Sequence, residues 1–275
     1  MRFLVRQLQR LAILALGALT VWLVVFVFFE FDNRVPWVLA LALTYGVAAY
    51  GILPRVVRLG LKILQRKSVP RFTTTGDGLP GDPVNLALIG TLGELRAAFT
   101  ATGWTEADPL SLTSSWGMIR AFVLNRPYPA APFSTLYLFG RGQDIGFQKA
   151  IDDSPRKRHH IRFWALSLER AEEPMQNASF WLNTDRPPAA ATVLWVGAGT
   201  KDTGLSFTGL TFQITHATDA DTNAERDFIV GELRGHRVID DVTSQQAGKP
   251  SSERVNRYIA DGDVTVARLR ADEAR

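Results

Sequence analysis

The sequence predicts an α+β protein with a two-helix transmembrane hairpin at its N-terminus, followed by one soluble domain with a mainly antiparallel sheet and flanking helices. Residues 11–29 and 35–53 are uncharged and predominantly apolar. Each is close to the ~20 residues that a helix needs to cross a bilayer. Between residues 135 and 198, several short segments are rich in β-branched and aromatic residues, which is typical of strands, and helical patterns lie on either side of them.

The two apolar segments are predicted to form a tight hairpin, because only residues 30–34 separate them, too few to cross back through a bilayer. A cleaved signal peptide is the competing interpretation of the first segment. That segment exceeds the ~7 to 15 apolar residues of a signal core and lacks a small-residue cleavage site at its end. We therefore predict an uncleaved anchor comprising residues 1–54.

Positive charge flanks this hairpin on one side. The connecting loop carries Arg34 against Glu30 and Asp32, whereas many basic residues precede the first span and follow the second. By the positive-inside rule, both termini and the soluble domain are predicted to be cytoplasmic. The absence of cysteine agrees with that compartment. The flanking cations are Arg2, Arg6, Arg10, Arg55, Arg58, Lys62, Arg66, Lys67 and Arg71.

Residues 55–67 are predicted to form a basic amphipathic helix, because their cations recur at steps of three and four, opposite Val57 and Leu61. The favoured interpretation places this helix along the inner leaflet, where its cations attract anionic lipid. The alternative is that the helix continues the second span into the cytoplasm, with a kink at Pro54. The predicted lipid-facing cations are Arg55, Arg58, Lys62 and Arg66.

Composition divides the rest of the chain into three parts. Residues 68–83 have the proline, glycine and threonine content of a linker. Residues 84–240 are enough to enclose one hydrophobic core. Residues 241–275 are predicted to be a polar linker followed by a β-hairpin with its turn at Asp261-Gly262. The net charge of +4 owes much to the membrane-flanking cations, so it does not indicate a nucleic-acid partner.

The soluble domain is predicted to begin with a buried strand at residues 84–90 and a helix at residues 91–101. Thr91 and Glu94 have the spacing of a capping box for that helix. The remaining strands are predicted at residues 135–140, 145–149, 160–166, 191–198 and 210–216, and the remaining helices at residues 110–124 and 222–234.

The densest polar cluster lies at residues 152–162. Its cations could bind phosphate, because guanidinium groups offer forked donors and a turn offers backbone amides. The alternative is a solvated turn that Asp152 and Asp153 partly neutralise. His159 and His160 point to opposite faces of a strand, so one should face the core or a site and the other solvent. The predicted anion-binding cations are Arg156, Lys157, Arg158 and Arg162.

A second polar cluster surrounds His216. Sheet pairing could bring His159 or His160 alongside it to bind zinc or another divalent metal, with Glu225 as a catalytic base. The alternative is structural, with Thr222 and Glu225 as a helix capping box and two aspartates in the preceding turn. The sequence has no HExxH, GxSxG or P-loop pattern. The predicted metal ligands are His160, His216, Asp219 and Asp221.

Four segments resemble the LssY C-terminal domain family of bacterial membrane proteins. They are GDPVNLALIGTLGELRAAFTATGW (residues 81–104), RPYPAAPFSTLYLFGRGQDIGFQK (126–149), DSPRKRHHIRFW (153–164) and ITHATDADTNAERD (214–227). The resemblance implies an inner-membrane protein of a bacterial envelope or type I secretion system. It also singles out Arg158, His159, His160, His216, Asp221, Glu225 and Arg226. Some members are fused to lipid-phosphatase-like proteins, but this chain has no such signature, so that activity is not carried over.

Three hypotheses about function follow. The leading one is a non-enzymatic binding or assembly module whose partners are the lipid bilayer, anionic lipid or a membrane-protein complex. The alternative is a metal-dependent hydrolase of a phosphate-bearing substrate at the membrane surface, in which residues 156–160 hold the phosphate and His216 binds the metal that activates water. The third is a structural anchor without a ligand.

Overall fold

The structure is a computed structural model that describes residues 2–63, 71–124, 126–154, 156–168, 174–175, 178–181, 184, 186–188, 190–208, 211–247, 251–252 and 258–270. The chain divides into two compact units. The helical unit contains Met1–Ser68, Gly76–Leu79 and Ser206–Thr215, and the sheet unit contains Val69–Thr75, Pro80–Leu205 and His216–Arg275.

Two long apolar helices dominate the helical unit. The first is α1 (Arg2–Asp32), and the second consists of α2 (Trp37–Val47), a π-helix (Ala48–Ile52) and α3 (Leu53–Ile63) in direct succession. The segments Gln7–Asp32 and Trp37–Leu61 are long and apolar enough to cross a membrane. The two helices pack side by side in opposite directions, since the Gln9 side chain donates to the Ile63 carbonyl at 2.9 Å. The predicted pair of apolar N-terminal helices is confirmed.

The basic helix continues the second apolar helix instead of turning away from it. Where Pro54 enters, the Leu53 N–H donates to the carbonyl of Ala48, five residues back. This π-type turn widens the helix and relieves the clash that the proline ring would make with the preceding turn. The structure therefore has the continuous helix of the alternative interpretation, and the position of this segment relative to a membrane surface stays a prediction. Of the predicted lipid-facing cations, Arg66 and the side chain of Lys62 lie outside what the structure describes.

The sheet unit contains short strands and four further helices among its described residues. The helices are α4 (Leu92–Ala101), α5 (Leu112–Val123), α6 (Ala178–Trp181) and α7 (Thr222–Gly235). The strands are β1 (Phe72–Thr74), β2 (Pro80–Pro83), β3 (Leu86–Gly90), β4 (Thr105–Glu106), β5 (Tyr137–Leu138), β6 (Arg141–Gly142), β7 (Ile145–Ala150), β8 (Arg158–Ser167), β9 (Val193–Phe207), β10 (Ile214–Thr218), β11 (Ile239–Gln246), β12 (Ser251–Ser252), β13 (Ile259–Ala260) and β14 (Asp263–Leu269). The outer ends of β9 and β10 belong to the helical unit.

The main sheet has the strand order β11-β14-β3-β9-β8-β7-β4, with β10 paired to β9. Its strands pair antiparallel, except that β14 runs parallel to β3. A smaller sheet has the order β2-β1-β5-β6. The predicted α+β class with a mainly antiparallel sheet is confirmed.

Both faces of the main sheet are covered. On one, which we call the helix face, residues of α4 and α7 such as Phe99 and Ile229 pack on Phe163 of β8. On the other, which we call the small-sheet face, Trp164 of β8 packs against residues such as Leu138 of β5. Strands that are buried on both sides consist mostly of apolar residues, so polar side chains in β8 and β9 need a specific explanation.

The C-terminal strands pair differently from the predicted hairpin. β14 pairs with β11, and β13 pairs with β12, so the segments on either side of Asp261-Gly262 separate. The reason is that α7 holds the segment before the turn. Arg226 donates to both carboxylate oxygens of Asp261 at 2.9 and 3.0 Å, and the Thr222 hydroxyl donates to the Ile259 carbonyl at 2.8 Å.

The capping box predicted for α4 is confirmed. The Glu94 N–H donates to the Thr91 hydroxyl at 3.2 Å, and the Glu94 carboxylate accepts from the Thr91 N–H at 2.7 Å. Two backbone donors at the start of the helix are thereby satisfied by side chains.

Thr91→Ala removes one of these hydrogen bonds, and we expect it to lower the free energy of unfolding by about 1 kcal/mol. Chemical denaturation of the full chain in detergent, followed by near-ultraviolet circular dichroism, measures this change. Thr91→Ser is the matched control, because it keeps the hydroxyl and should stay within about 0.5 kcal/mol of the wild type. An equal loss in both variants would contradict a role for the cap.

Candidate functional site

The polar residues at the start of β8 alternate between the two faces of the sheet. Arg158, His160 and Arg162 lie on the small-sheet face, and His159 lies on the helix face. Both histidine side chains are largely buried, at 14% exposure for His159 and 4% for His160. The prediction that one of them faces solvent is wrong, because α7 covers the helix face at this point.

Arg158 is paired inside the fold with Asp202, the residue directly opposite it on β9. Its Nε donates to Asp202 Oδ2 at 2.9 Å, and its Nη1 donates to Gln148 Oε1 at 2.6 Å. Gln148 in turn donates to the carbonyl of Ala131 at 2.6 Å. Each of these side chains is buried, so the guanidinium charge is compensated without water.

Arg162 is paired with Asp82, which β2 brings from the start of the sheet unit. Arg162 Nη1 donates to Asp82 Oδ2 at 2.5 Å, and the Tyr258 hydroxyl donates to Asp82 Oδ1 at 2.9 Å. Burial would raise the pKa of Asp82, but the Arg162 charge, the nearby His160 and the hydrogen bond from Tyr258 hold that pKa below its usual value. Burial and the Asp82 charge raise the pKa of Tyr258 well above its ordinary value. Asp82 is therefore an anion, and Tyr258 is a neutral donor.

The structure brings His160 and His216 to the same carboxylate. His160 Nδ1 lies 3.5 Å from Asp202 Oδ2, and His216 Nδ1 lies 3.8 Å from the same oxygen. His160 Nε2 lies 2.9 Å from the Thr200 hydroxyl. Within the described part of the chain, neither Nδ1 has a hydrogen-bond partner. Burial lowers the pKa of His216, and the nearby Arg158 charge acts in the same direction against the attraction of Asp202.

The two aspartates predicted as metal ligands make local bonds instead. Asp221 is the N-cap of α7, where its side chain accepts from the N–H groups of Asn223 and Ala224. Asp219 accepts from the Asp221 N–H at 3.1 Å. Asp221 thus takes the capping role that the structural alternative gave to Thr222. Across the described ranges, no group of three or more His, Asp or Glu side chains could hold a metal ion. A metal at these residues stays a prediction.

Glu225 lies across the sheet from His160. Its carboxylate oxygens are 2.8 and 3.0 Å from Nδ1 of His159, whose ring stacks on Phe228 with a centroid distance of 4.1 Å. Because His159 and His160 point to opposite faces of β8, the sheet separates the predicted base from the predicted metal ligand. The structure does not bring these two residues into one site.

The four cations predicted to bind an anion lie in two different environments. Arg158 and Arg162 are buried against carboxylates, whereas Arg156 and Lys157 are exposed in the loop before β8. Anion binding by the exposed pair stays a prediction. The buried group, which we call the polar cluster, consists of Asp82, Arg158, His160, Arg162, Asp202 and Tyr258.

The acidic members of the polar cluster were missed at the level of sequence. Asp82 lies in the segment predicted to be a linker, and Asp202 follows a strand predicted to end at residue 198. A signal was nevertheless present. Arg158, His160 and Arg162 occupy every second position at the start of β8 and so share one face, and such a row on a buried strand requires opposite charges nearby.

A family model described as LssY C-terminus matches residues 66–264 of the chain. The matched range contains the whole polar cluster and His216. It confirms the resemblance that four sequence segments indicated. Searches of curated proteins and of solved structures give no match.

We expect acid to destabilise the fold through His216. Because burial lowers its pKa below the ordinary value of 6.5, the unfolded chain binds a proton more readily than the folded chain. Stability should therefore fall as the pH drops below about 6.5, by at most about 1.4 kcal/mol per pH unit for this one proton. The free energy of unfolding of His216→Gln should decline less steeply than that of the wild type between about pH 7 and about pH 5.

His236→Gln is the matched control for this measurement, because His236 is exposed at the C-terminal end of α7. That variant should keep the wild-type slope of stability against pH. Identical slopes for the wild type and His216→Gln would exclude His216 as the source of the acid sensitivity.

Proposed function

The chain belongs to the LssY C-terminus family, and from that premise we propose that it is a membrane-anchored binding or assembly module of the bacterial envelope. The observation that carries the proposal is the antiparallel pair of apolar helices joined by a short loop, each long enough to cross a bilayer. In this proposal the helices anchor the chain in the inner membrane, and the sheet unit lies in the cytoplasm.

The distribution of charge supports this orientation. Arg55 and Arg58 follow the second span in α3, and Arg10 lies in the first turns of α1, at the same end of the hairpin. At the opposite end, Arg34 forms an ion pair with Glu30, which offsets its charge. Positive charge is therefore concentrated at one end, which is the cytoplasmic end in most membrane proteins.

The interior of the sheet unit supports a module rather than a hydrolase. Within the polar cluster, two guanidinium groups are balanced by two carboxylates, and all four groups are buried. Such pairs hold segments of the fold in place. Glu225 is engaged by His159 on the helix face, so the hydrolase alternative does not have its predicted base beside His160.

The surface of the sheet unit offers a place for a partner. Helix α5 exposes Leu112, Trp116, Ile119 and Val123, with exposures between 49% and 92%. Their spacing places them along one side of the helix. A continuous apolar stripe of this kind is typical of a protein-binding surface, and an amphipathic helix docks by such a stripe. We assign it to a membrane-protein subunit of the same assembly.

The orientation can be measured by cysteine accessibility, because the chain has no cysteine of its own. In intact spheroplasts, a membrane-impermeant maleimide should label Asn33→Cys in the loop. It should label Lys157→Cys in the sheet unit only after the membrane is permeabilised. The unmodified chain is the control for background labelling. The reverse pattern, or labelling of both sites before permeabilisation, would contradict the proposed topology.

The assembly role can be measured by the size of the complex extracted in mild detergent. The full chain should migrate in a particle larger than its own detergent-solubilised monomer. Trp116→Ser should shift it toward the monomer, because loss of a large aromatic anchor weakens an interface by ~2 kcal/mol or more. Tyr137→Ser alters an exposed aromatic residue away from α5 and should leave the particle unchanged. A particle that does not respond to Trp116→Ser would contradict the role of α5.

A further inference from the structure

The tip of the β9–β10 hairpin has the composition of a membrane-inserted loop. Residues 206–215, which we call the hairpin tip, belong to the helical unit. No charged residue occurs from Thr203 to Thr215. Phe207, Phe212 and Ile214 expose 66%, 59% and 52% of their surface. Large apolar side chains concentrated on one short loop indicate an apolar environment around it.

Hydrogen bonds attach the hairpin tip to the second apolar helix. The Tyr45 hydroxyl donates to the carbonyl of Phe212 at 2.7 Å, and the Ile214 N–H donates to the Tyr50 hydroxyl at 3.2 Å. The amide of Gln213 donates to the carbonyl of Ala49 at 3.0 Å. The attachment therefore lies at residues 45–50, within the segment Trp37–Leu61 that is long and apolar enough to cross a membrane.

The hydrogen bond from Gln213 satisfies a backbone carbonyl that Pro54 leaves without a donor. In the π-helix, the carbonyl of Ala48 accepts from Leu53, so the carbonyl of Ala49 would accept from the next residue along. That residue is Pro54, which has no N–H to donate. An unsatisfied carbonyl within the hydrocarbon region costs several kcal/mol. Gln213 supplies the missing donor.

Several polar groups among the described residues of the hairpin tip are bonded within the tip. The Thr208 N–H donates to the carbonyl of Gln213, and the Phe212 N–H donates to the carbonyl of Thr208, both at 3.0 Å. The Gln213 N–H donates to the Thr208 hydroxyl at 2.9 Å, and the Thr211 hydroxyl lies 2.6 Å from the same group. These polar groups are bonded to one another, whereas Phe207, Phe212 and Ile214 are exposed, and such internal bonding is what non-helical backbone requires at membrane depth.

The positions of Tyr45 and Tyr50 along the second apolar helix give the depth of the hairpin tip in the bilayer. Tyr45 and Tyr50 precede Arg55, the first charged residue after the uncharged residues 35–53, by about 15 Å and about 8 Å at ~1.5 Å per residue. Tyrosine is enriched at this level, where the ring is in an apolar layer and the hydroxyl meets polar groups. The hairpin tip therefore lies within the half of the bilayer that adjoins the charged end of the helix.

We propose that the hairpin tip is inserted into the bilayer beside the second span, with Phe207, Phe212 and Ile214 among the acyl chains beneath the headgroups. The proposal rests on the proposed function in one respect, which is that α2 lies in the membrane. It adds a third membrane contact that comes from the strands and not from the anchor.

The test uses the full chain in phosphatidylcholine proteoliposomes, with a single cysteine labelled by an environment-sensitive fluorophore. Phe207→Cys and Ile214→Cys probe the hairpin tip at exposed positions. Leu14→Cys on α1 is the reference for a lipid-exposed span, and Lys157→Cys in the exposed loop before β8 is the reference for water. Nitroxide-bearing lipids quench only fluorophores that contact the acyl chains.

We expect both tip labels to be quenched severalfold more strongly than the Lys157→Cys label, with blue-shifted emission close to that of Leu14→Cys. Quenching of the Leu14→Cys label without quenching of either tip label would overturn the insertion of the tip and leave the anchor intact. An absence of quenching at all four positions would instead contradict the transmembrane helices themselves.

Discussion

The buried ion pairs of β8 are the constraint on which the sheet unit depends. Arg158 and Arg162 lie on a strand covered on both faces, where an uncompensated charge would cost about 3–5 kcal/mol. Asp202 supplies one counter-charge from the adjacent strand, and Asp82 supplies the other from β2. These pairs fix the register of β8 against β9, because a shift by one residue would move every charge to the opposite face.

The same pairs join segments that are far apart in sequence. Asp82 comes from the start of the sheet unit, and its carboxylate accepts from Arg162 in the middle of the unit and from Tyr258 near its end. Arg226 extends this arrangement on α7 by holding Asp261. Burial would lower the pKa of Arg226, but the hydrogen bonds and charges of Asp227 and Asp261 hold that pKa above its ordinary value, so Arg226 is a permanent cation. Arg158 and Arg162, which the sequence predicted to bind an anion, therefore form buried ion pairs that join these segments.

One rule explains the polar contacts of both units: a polar group removed from water needs a partner nearby. In the sheet unit the partners are carboxylates and guanidinium groups on neighbouring strands. In the helical unit the need arises at Pro54, where the widened helix leaves the carbonyl of Ala49 without a donor from its own helix, and Gln213 provides one. In both units, the partner of the polar group comes from a residue that is distant from it in sequence.

The sequence by itself determined the features that depend on neighbouring residues. The apolar helices follow from composition, and the start of α4 follows from the spacing of Thr91 and Glu94. Only the tertiary structure decided which distant groups meet. It paired Asp82 with Arg162, placed Glu225 against His159 and gave the cap of α7 to Asp221. The physical reason is that periodicity and capping act within a few residues, whereas the partner of a buried charge is set by strand order and register, which no local pattern encodes.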